Sequence, residues 1–411
     1  MYWVRPDRIV RTWRGQWGLR KTLEAVAIGF ILVAAACLLS TVGRKRSTDL
    51  VQRSNGCQFP AIFNFGDSNS DTGSVEATFH SSPLPNGVTF FGKATGRHSD
   101  GRLIIDFLAE KLGLPYLNAY LDSIGTNFRY GANFAASGST IQPLNAKIYK
   151  AGANPLSLDI QLYQFERFKA RTIELFNQDK MSSLKMGLPR PEDFSKALYT
   201  IDIGQNDLHG GITSMTEEQV QLSIPRIINL FASVIEKLYR QGARTFWIQN
   251  TGPIGCLPYF IIKYPPKPGN ADQNGCVKSY NKLAQEFNKQ LKDRVYQLRA
   301  KYANAFLVYV DVYSAKYSMI SRAKKNGFIN PLGYCCGHLG DFRVKCGRTT
   351  ILNGSKVFGD SCTDPLKYIS WDGIHYTEAA SRSVATQILD GLLSDPQVPI
   401  TEACLNSVHS R

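Results

Sequence analysis

Ala61-Ile62-Phe63-Asn64-Phe65-Gly66-Asp67-Ser68-Asn69-Ser70-Asp71-Thr72-Gly73 is the stretch on which the fold turns. Five mostly apolar residues followed by a glycine turn read as a short buried strand. A serine on the turn leaving such a strand can expose its Oγ while its backbone stays rigid. Asp67, Asn69 and Asp71 imitate the first positions of a calcium loop, but Thr72 stands where that loop needs glycine and Thr78 where it needs glutamate. Calcium is therefore set aside. A turn or helix cap rich in Asp and Ser is the other reading, and the turn alone does not choose between them.

Working outward, apolar runs alternate with helical patterns. Leu103–Gly113 reads as a helix, Asn133–Ser137 as a short strand, Leu158–Phe176 as a long amphipathic helix, and Ala197–Ile203 as a strand ending at Gly204. A helix over Glu217–Tyr239, the strand Thr245–Gln249, a helix over Lys278–Tyr302, the strand Ala305–Val312 and a last helix from Thr377 to Leu393 complete the series. Such alternation predicts an α/β protein, a three-layer α/β/α sandwich around a roughly five-stranded parallel sheet. Chemistry is then expected beyond the carboxyl ends of the strands. Gly66-Asp67-Ser68, Ser137-Gly138 and Gly204-Gln205-Asn206-Asp207 each follow a strand and should converge there.

The chain has 411 residues, 43% of them hydrophobic and 20% charged, which excludes disordered, collagenous and multi-span membrane classes. Its net charge of +15 is uneven, because residues 1–50 hold nine Lys/Arg against three Asp/Glu. Arg5 to Lys21 form a basic region ahead of fifteen uncharged residues, Ala25–Leu39. Residues 1–43 thus read as a secretory signal, or as a signal anchor if they are not cleaved. A linker is expected over 44–56, one domain over 57–396, and a tail over 397–411. The excess of +9 beyond residue 50 suits anionic surroundings such as acidic cell-wall polysaccharide, or is a solvated basic surface. No motif supports nucleic acid binding, and Tyr163, Phe165 and Phe168 read as the core face of a helix.

Beyond Cys37 in the leader, eight cysteines remain, an even count that in an exported chain points to disulfides. Proximity favours Cys256 with Cys276, pairing of Cys335, Cys336, Cys346 and Cys362 among themselves, and Cys57 with Cys404 across the ends. Zinc ligation by Cys335, Cys336, His338 and Cys346 matches no ligand spacing. Asn353-Gly354-Ser355 is an acceptor sequon for N-glycosylation.

Near the far end, Trp371-Asp372-Gly373-Ile374-His375 places a carboxylate three residues before a histidine. In one tight turn, that carboxylate can hold Nδ1 while Nε2 faces a nucleophile. His98, His209 and His338 also have an Asp close by, so spacing alone does not single out His375. Gly138 and Asn206 are suited to binding an oxyanion, through a backbone N–H and a side-chain amide, and equally to a turn and a cap.

In order and content these blocks resemble the plant branch of the GDSL esterase/lipase family, the SGNH hydrolases, from about Cys57 to Leu393. The likeness is carried by Phe63–Gly73, by Gly96-Arg97-His98-Ser99-Asp100-Gly101-Arg102, by Tyr130–Gly138, by Ile203-Gly204-Gln205-Asn206-Asp207 and by Trp371–Ala380. Where the family often has Gly-Gly, this chain has Ser137-Gly138.

The resemblance implies a flavodoxin-like fold, Ser68 as nucleophile, His375 as general base and then acid, and Asp372 as its orienter. It also implies an oxyanion hole from the N–H of Ser68, the N–H of Gly138 and the side chain of Asn206, with no metal or organic cofactor. Hydrolysis of a small-molecule carboxylic ester, such as an acyl ester, lipid or acylated sugar, is the expected activity, outside the cell or on its surface. Acyl transfer to another alcohol, a non-catalytic carbohydrate-binding or defence role, and glycosidase chemistry remain as alternatives. No G-x-S-x-G elbow, Walker loop or H-E-x-x-H motif occurs.

Overall fold

Six strands order as β10-β5-β4-β3-β1-β2 in a central sheet. The structure, a computed structural model, describes residues 56–404 apart from 125, 144–153, 179–181, 339 and 341. The leader and most of the linker lie outside the described residues. Strands β1 (Ile62–Gly66), β2 (Gly131–Asn133), β3 (Leu198–Asp202), β4 (Thr245–Gln249) and β5 (Phe306–Val310) are parallel, and β10 (Ser394–Asp395) closes one edge antiparallel to β5. The expected five-stranded parallel sheet is therefore present with one short antiparallel addition.

Seven of the helices matter here: α1 (Ile104–Lys111), α2 (Leu158–Asn177), α3 (Gln205–Ser214), α4 (Glu217–Arg240), α5 (Lys278–Lys301), α6 (Val312–Ser321) and α7 (Glu378–Leu389). They pack in two groups, α2 with α4 and α5, and α1 with α7 and α6. In β1 the side chains alternate. Phe63 and Phe65 pack on Phe165 of α2, with ring centroids 5.3 and 5.8 Å apart. Asn64 lies in register with Asn133 of β2 and Thr200 of β3 and bonds to both, at 2.7 Å each. A row of satisfied polar groups thus fixes three neighbouring strands inside an otherwise apolar core.

Several boundaries differ from the sequence reading. The segment read as the strand Asn133–Ser137 lies one step too late, since β2 ends at Asn133 and the buried residues after it run on as a loop toward Gly138. The run Ala305–Val312 divides at Asp311, whose Oδ1 accepts the Ser314 N–H at 3.0 Å and starts α6. Of the three aromatics on α2, Phe165 and Phe168 are core, but Tyr163 is 59% exposed.

A smaller region covers residues 330–370, where β6 (Asn330–Tyr334) pairs with β9 (Tyr368–Ser370) and the hairpin β7 (Thr349–Leu352)–β8 (Ser355–Phe358) projects with Asn353 exposed at its tip. Two disulfides, Cys335–Cys362 and Cys336–Cys346, brace this region, Cys256–Cys276 closes the loop before α5, and Cys57–Cys404 joins the ends. All eight sulfurs are consumed, which removes the zinc reading. Ile400 and Ala403 are fully buried, so the chain stays in the core up to the last disulfide. Among the described residues no helix is long and apolar enough to cross a membrane.

Candidate active site

Three loops at the carboxyl ends of β1, β2 and β3 are tied to one another. Gly66 pairs with Asp202 at the end of β3, and a Cβ at Gly66 would lie 2.4 Å from the Asp202 carbonyl oxygen, so only glycine fits. Gln161 of α2 clamps the same residue, accepting its N–H at 2.9 Å and donating to its carbonyl at 2.8 Å. Asp71 then accepts the N–H groups of Gly73, Ser74 and Ser137 at 2.6–2.8 Å, which links the turn after β1 to the loop after β2. From the third loop, Asn206 Nδ2 donates to the Ser139 carbonyl at 2.9 Å, and Asp207 accepts Ile141 N–H at 2.8 Å. The loop carrying Gly138 is thereby held between the turn carrying Ser68 and the one carrying Asn206.

The other two residues of the site, Asp372 and His375, come from the far end of the chain. Between β9 and α7 the backbone folds back so that Trp371 N–H donates to the His375 carbonyl at 2.8 Å. Gly373 sits at φ 97° beneath Phe342, where a Cβ would meet the ring at 2.4 Å. Inside this turn, Asp372 Oδ2 lies 2.7 Å from His375 Nδ1, and its Oδ1 accepts the N–H groups of Ile374 and His375 at 3.0 and 2.9 Å. The carboxylate therefore fixes both the ring and its own turn. Burial pushes the Asp372 carboxyl up, but the His375 charge and hydrogen bonds outweigh it and hold the group well below the usual range. Burial likewise lowers His375, yet Asp372, with Asp67 behind it, prevails and raises it above the ordinary value.

The Gly96–Arg102 block proves to be a buttress for that turn. Asp100 Oδ1 accepts the Glu378 N–H at 2.7 Å and caps α7, while Arg102 Nη2 pairs with Glu378 Oε1 at 2.7 Å. Arg97 grips Asp106 of α1 through Nε and Nη2 at 2.9 and 2.7 Å. His98 from this block stacks on His375, with ring centroids 4.9 Å apart and planes at 25°. Burial, then the His375 charge, lowers His98 to about 3, so it stays a neutral wall.

Ser68, only 4% exposed, and His375 line one small cavity of about 10 Å³ with His98, Lys316 and Tyr376. A larger cleft of about 240 Å³ opens on the other side of His98 and His375, walled by Tyr259, Tyr334 and Phe342. His98, Asp372 and His375 present ligand atoms within 4.8 Å of one another. Stacked imidazoles, however, hold their lone pairs side by side rather than converging, and His375 Nδ1 is already engaged by Asp372, so the donor set fits a hydrogen-bonded dyad better than a metal.

Of the residues predicted for the site, Ser68 and His375 line the small cavity, Asp372 stands behind His375 on Nδ1, and Gly138 and Asn206 belong to the loops tied to the Ser68 turn. Sequence reading placed His98 in a block of the resemblance and among the histidines near an Asp without giving it a role, and gave none to Lys316, Tyr376 or Asp202. His209 is half-buried, packed on Tyr259 and Phe260 with ring centroids 5.0 Å apart, and removal from water followed by the His375 charge lowers it to about 4.

Comparison with known proteins identifies the family. A family model described as GDSL-like Lipase/Acylhydrolase matches residues 62–388. A GDSL esterase/lipase of Arabidopsis thaliana is 53% identical over 350 residues, covering 85% of this chain and 90% of its own length. One of Zea mays is 50% identical over 362 residues, covering 86% and 90%. An Arabidopsis thaliana protein named Alpha-L-fucosidase 3 is 48% identical over 342 residues, covering 82% and 91%. The chain belongs to the GDSL-like lipase/acylhydrolase family.

Proposed function

We propose that this protein is an exported serine esterase that hydrolyses small-molecule carboxylic esters through an acyl-enzyme. The observation that carries the reading is His375, held by Asp372 at 2.7 Å, lining one cavity with Ser68 just after β1. Ser68 Oγ attacks the ester carbonyl as His375 Nε2 takes its proton, and the Asp372 carboxylate stabilises the imidazolium. Negative charge on the former carbonyl oxygen is met by the N–H groups of Ser68 and Gly138 and by Asn206 Nδ2, which turns from the Ser139 carbonyl to reach it. His375 then gives its proton to the leaving alcohol, and water repeats the sequence to release the acid.

Export is supported by four disulfides, which persist in oxidising compartments, and by the basic and apolar leader. On this reading residues 1–43 direct export, 44–56 link, and the hydrolase domain follows.

Rates with p-nitrophenyl esters of increasing chain length, measured on disulfide-intact residues 44–411 beside Ser68→Ala, test the proposal. Loss of several orders of magnitude in Ser68→Ala supports it, and equal rates in folded protein overturn it. An added acceptor alcohol, with products analysed, separates hydrolysis from acyl transfer. The relative named as a fucosidase makes a glycosidase the competing reading. Cleavage of a p-nitrophenyl fucoside that survives a serine-directed phosphonate would favour it.

A further inference from the structure

Beneath Ser68 lies a group of buried charges that the mechanism above does not use. Lys316, on α6, is 2% exposed, and its stem crosses Gly252, where a Cβ would come within 2.9 Å of Lys316 Cδ. Its ammonium stands 4.4 Å from the centre of the Tyr376 ring and lines the same cavity as Ser68 and His375. Burial pulls Lys316 below the usual ammonium range, opposed by the charges of Asp202 and then Asp67; both carboxylates are buried, and the Oδ2 of each finds no hydrogen-bond donor among the described residues. One ammonium and two carboxylates in so dry a place cost far more than an apolar filling of the same volume. Such a cluster calls for a role.

Asp67 supplies the link to the reaction. Its N–H donates to the Asp202 carbonyl at 3.2 Å, and its Oδ1 accepts the N–H and the Nδ2 of Asn69 at 2.9 and 3.0 Å, spanning Ser68 on both sides. A carboxylate holds those two donors more strongly than a neutral acid. Burial pushes Asp67 up to about 7, the Asp202 charge pushes the same way, and the Asn69 bonds and the Lys316 charge oppose them. The groups facing the cluster are Tyr376, His375 with Asp372, and His98, so the charge state of Asp67 is also felt by the general base.

We propose that Lys316 is a positioning residue for the nucleophile: its ammonium, beside Asp67 and Asp202, keeps Asp67 ionised and so keeps the turn that carries Ser68 in its reactive shape. The proposal rests on Ser68 being the nucleophile. It assigns Asp202 the opposing role, since its charge favours a protonated Asp67.

The test compares kcat, KM and the pH profile of kcat/KM for the full chain and its Lys316→Met, Asp202→Asn and double variants. Lys316→Met should lose about tenfold to a hundredfold at neutral pH, nearly all in kcat, as expected for a displaced nucleophile. Its acid limb should move to higher pH, because without the ammonium Asp67 holds its proton longer and becomes the group that must ionise for turnover. Adding Asp202→Asn should recover most of the rate and bring the limb back. An unmoved limb, or no recovery in the double variant, overturns the proposal. If Lys316→Met does not fold, Asp202→Asn alone must move the limb to lower pH, and an unmoved limb there overturns it equally. Ser68→Ala runs alongside. Activity retained in that variant overturns the nucleophile itself, whereas an inactive Ser68→Ala with an unaltered Lys316→Met overturns only the role of Lys316.

Discussion

His375 and Asp372 are three residues apart and 2.7 Å apart, joined within one turn whose two N–H groups bond the same carboxylate. On the proposed mechanism, orienter and base are thus fixed together, and no third strand has to deliver the acid. Asp372→Asn keeps the volume but loses the charge and can present an amide to Nδ1. We expect kcat to fall on the order of 10³–10⁴-fold with KM little changed, read by steady-state kinetics.

The pH profile follows from the same pair. His375 is raised above 6.5, burial being outweighed by Asp372, and only its neutral form acts as base. Activity should fall as pH drops through an apparent pKa above 6.5. In Asp372→Asn the supporting charge is gone, so the limb should move to lower pH, measurable in the residual rate.

Asn206 is the one proposed oxyanion donor that can be removed by substitution without touching the backbone. Asn206→Ala should cost on the order of 10²–10³-fold in kcat. Because its Nδ2 also donates to the Ser139 carbonyl, thermal melting should accompany the kinetics to show that the loop remains folded.

Arg102 and Glu378 form a buried pair, with side chains 7% and 4% exposed, that ties the Gly96–Arg102 segment to the start of α7. Arg102→Met leaves the carboxylate without this charged partner, and a destabilisation of about 3–5 kcal/mol is expected in denaturant unfolding. The companion Arg382 contact, from a side chain 61% exposed, offsets little of that loss.

Cys57–Cys404 closes nearly the whole domain, with a sequence separation of 347. The Cys57→Ser/Cys404→Ser variant should lose about 2–5 kcal/mol, seen as a lowered melting temperature, while kcat is retained in the folded protein.

What the sequence disclosed depended on whether a residue signals through local pattern or through its surroundings. Thr245–Gln249 was legible residue for residue because the centre of a buried parallel strand, here Phe246-Trp247-Ile248, reads as an apolar run. The Asp372–His375 spacing was equally local. The segment after Asn133 misled because it stays buried and still bonds β1, Phe134 N–H to the Asn64 carbonyl at 2.8 Å and Ala136 N–H to the Gly66 carbonyl at 3.2 Å, although Ala135 N–H turns to the Asn133 side chain at 3.0 Å. α6 was hidden because Val312 continues the apolar run of β5, although Asp311 is a helix-capping residue. Lys316 carried no signal at all, since nothing in Ser314-Ala315-Lys316-Tyr317 distinguishes a solvated lysine from one buried beside two carboxylates.

The central claim is that Ser68 is the nucleophile. Peptide mapping by mass spectrometry after reaction with an ester-like phosphonate tests it most directly. The account predicts one stoichiometric adduct on Ser68, formed in step with loss of activity and absent from His375→Ala. An inactivating adduct on another residue, or full esterase activity with Ser68 modified, would contradict it.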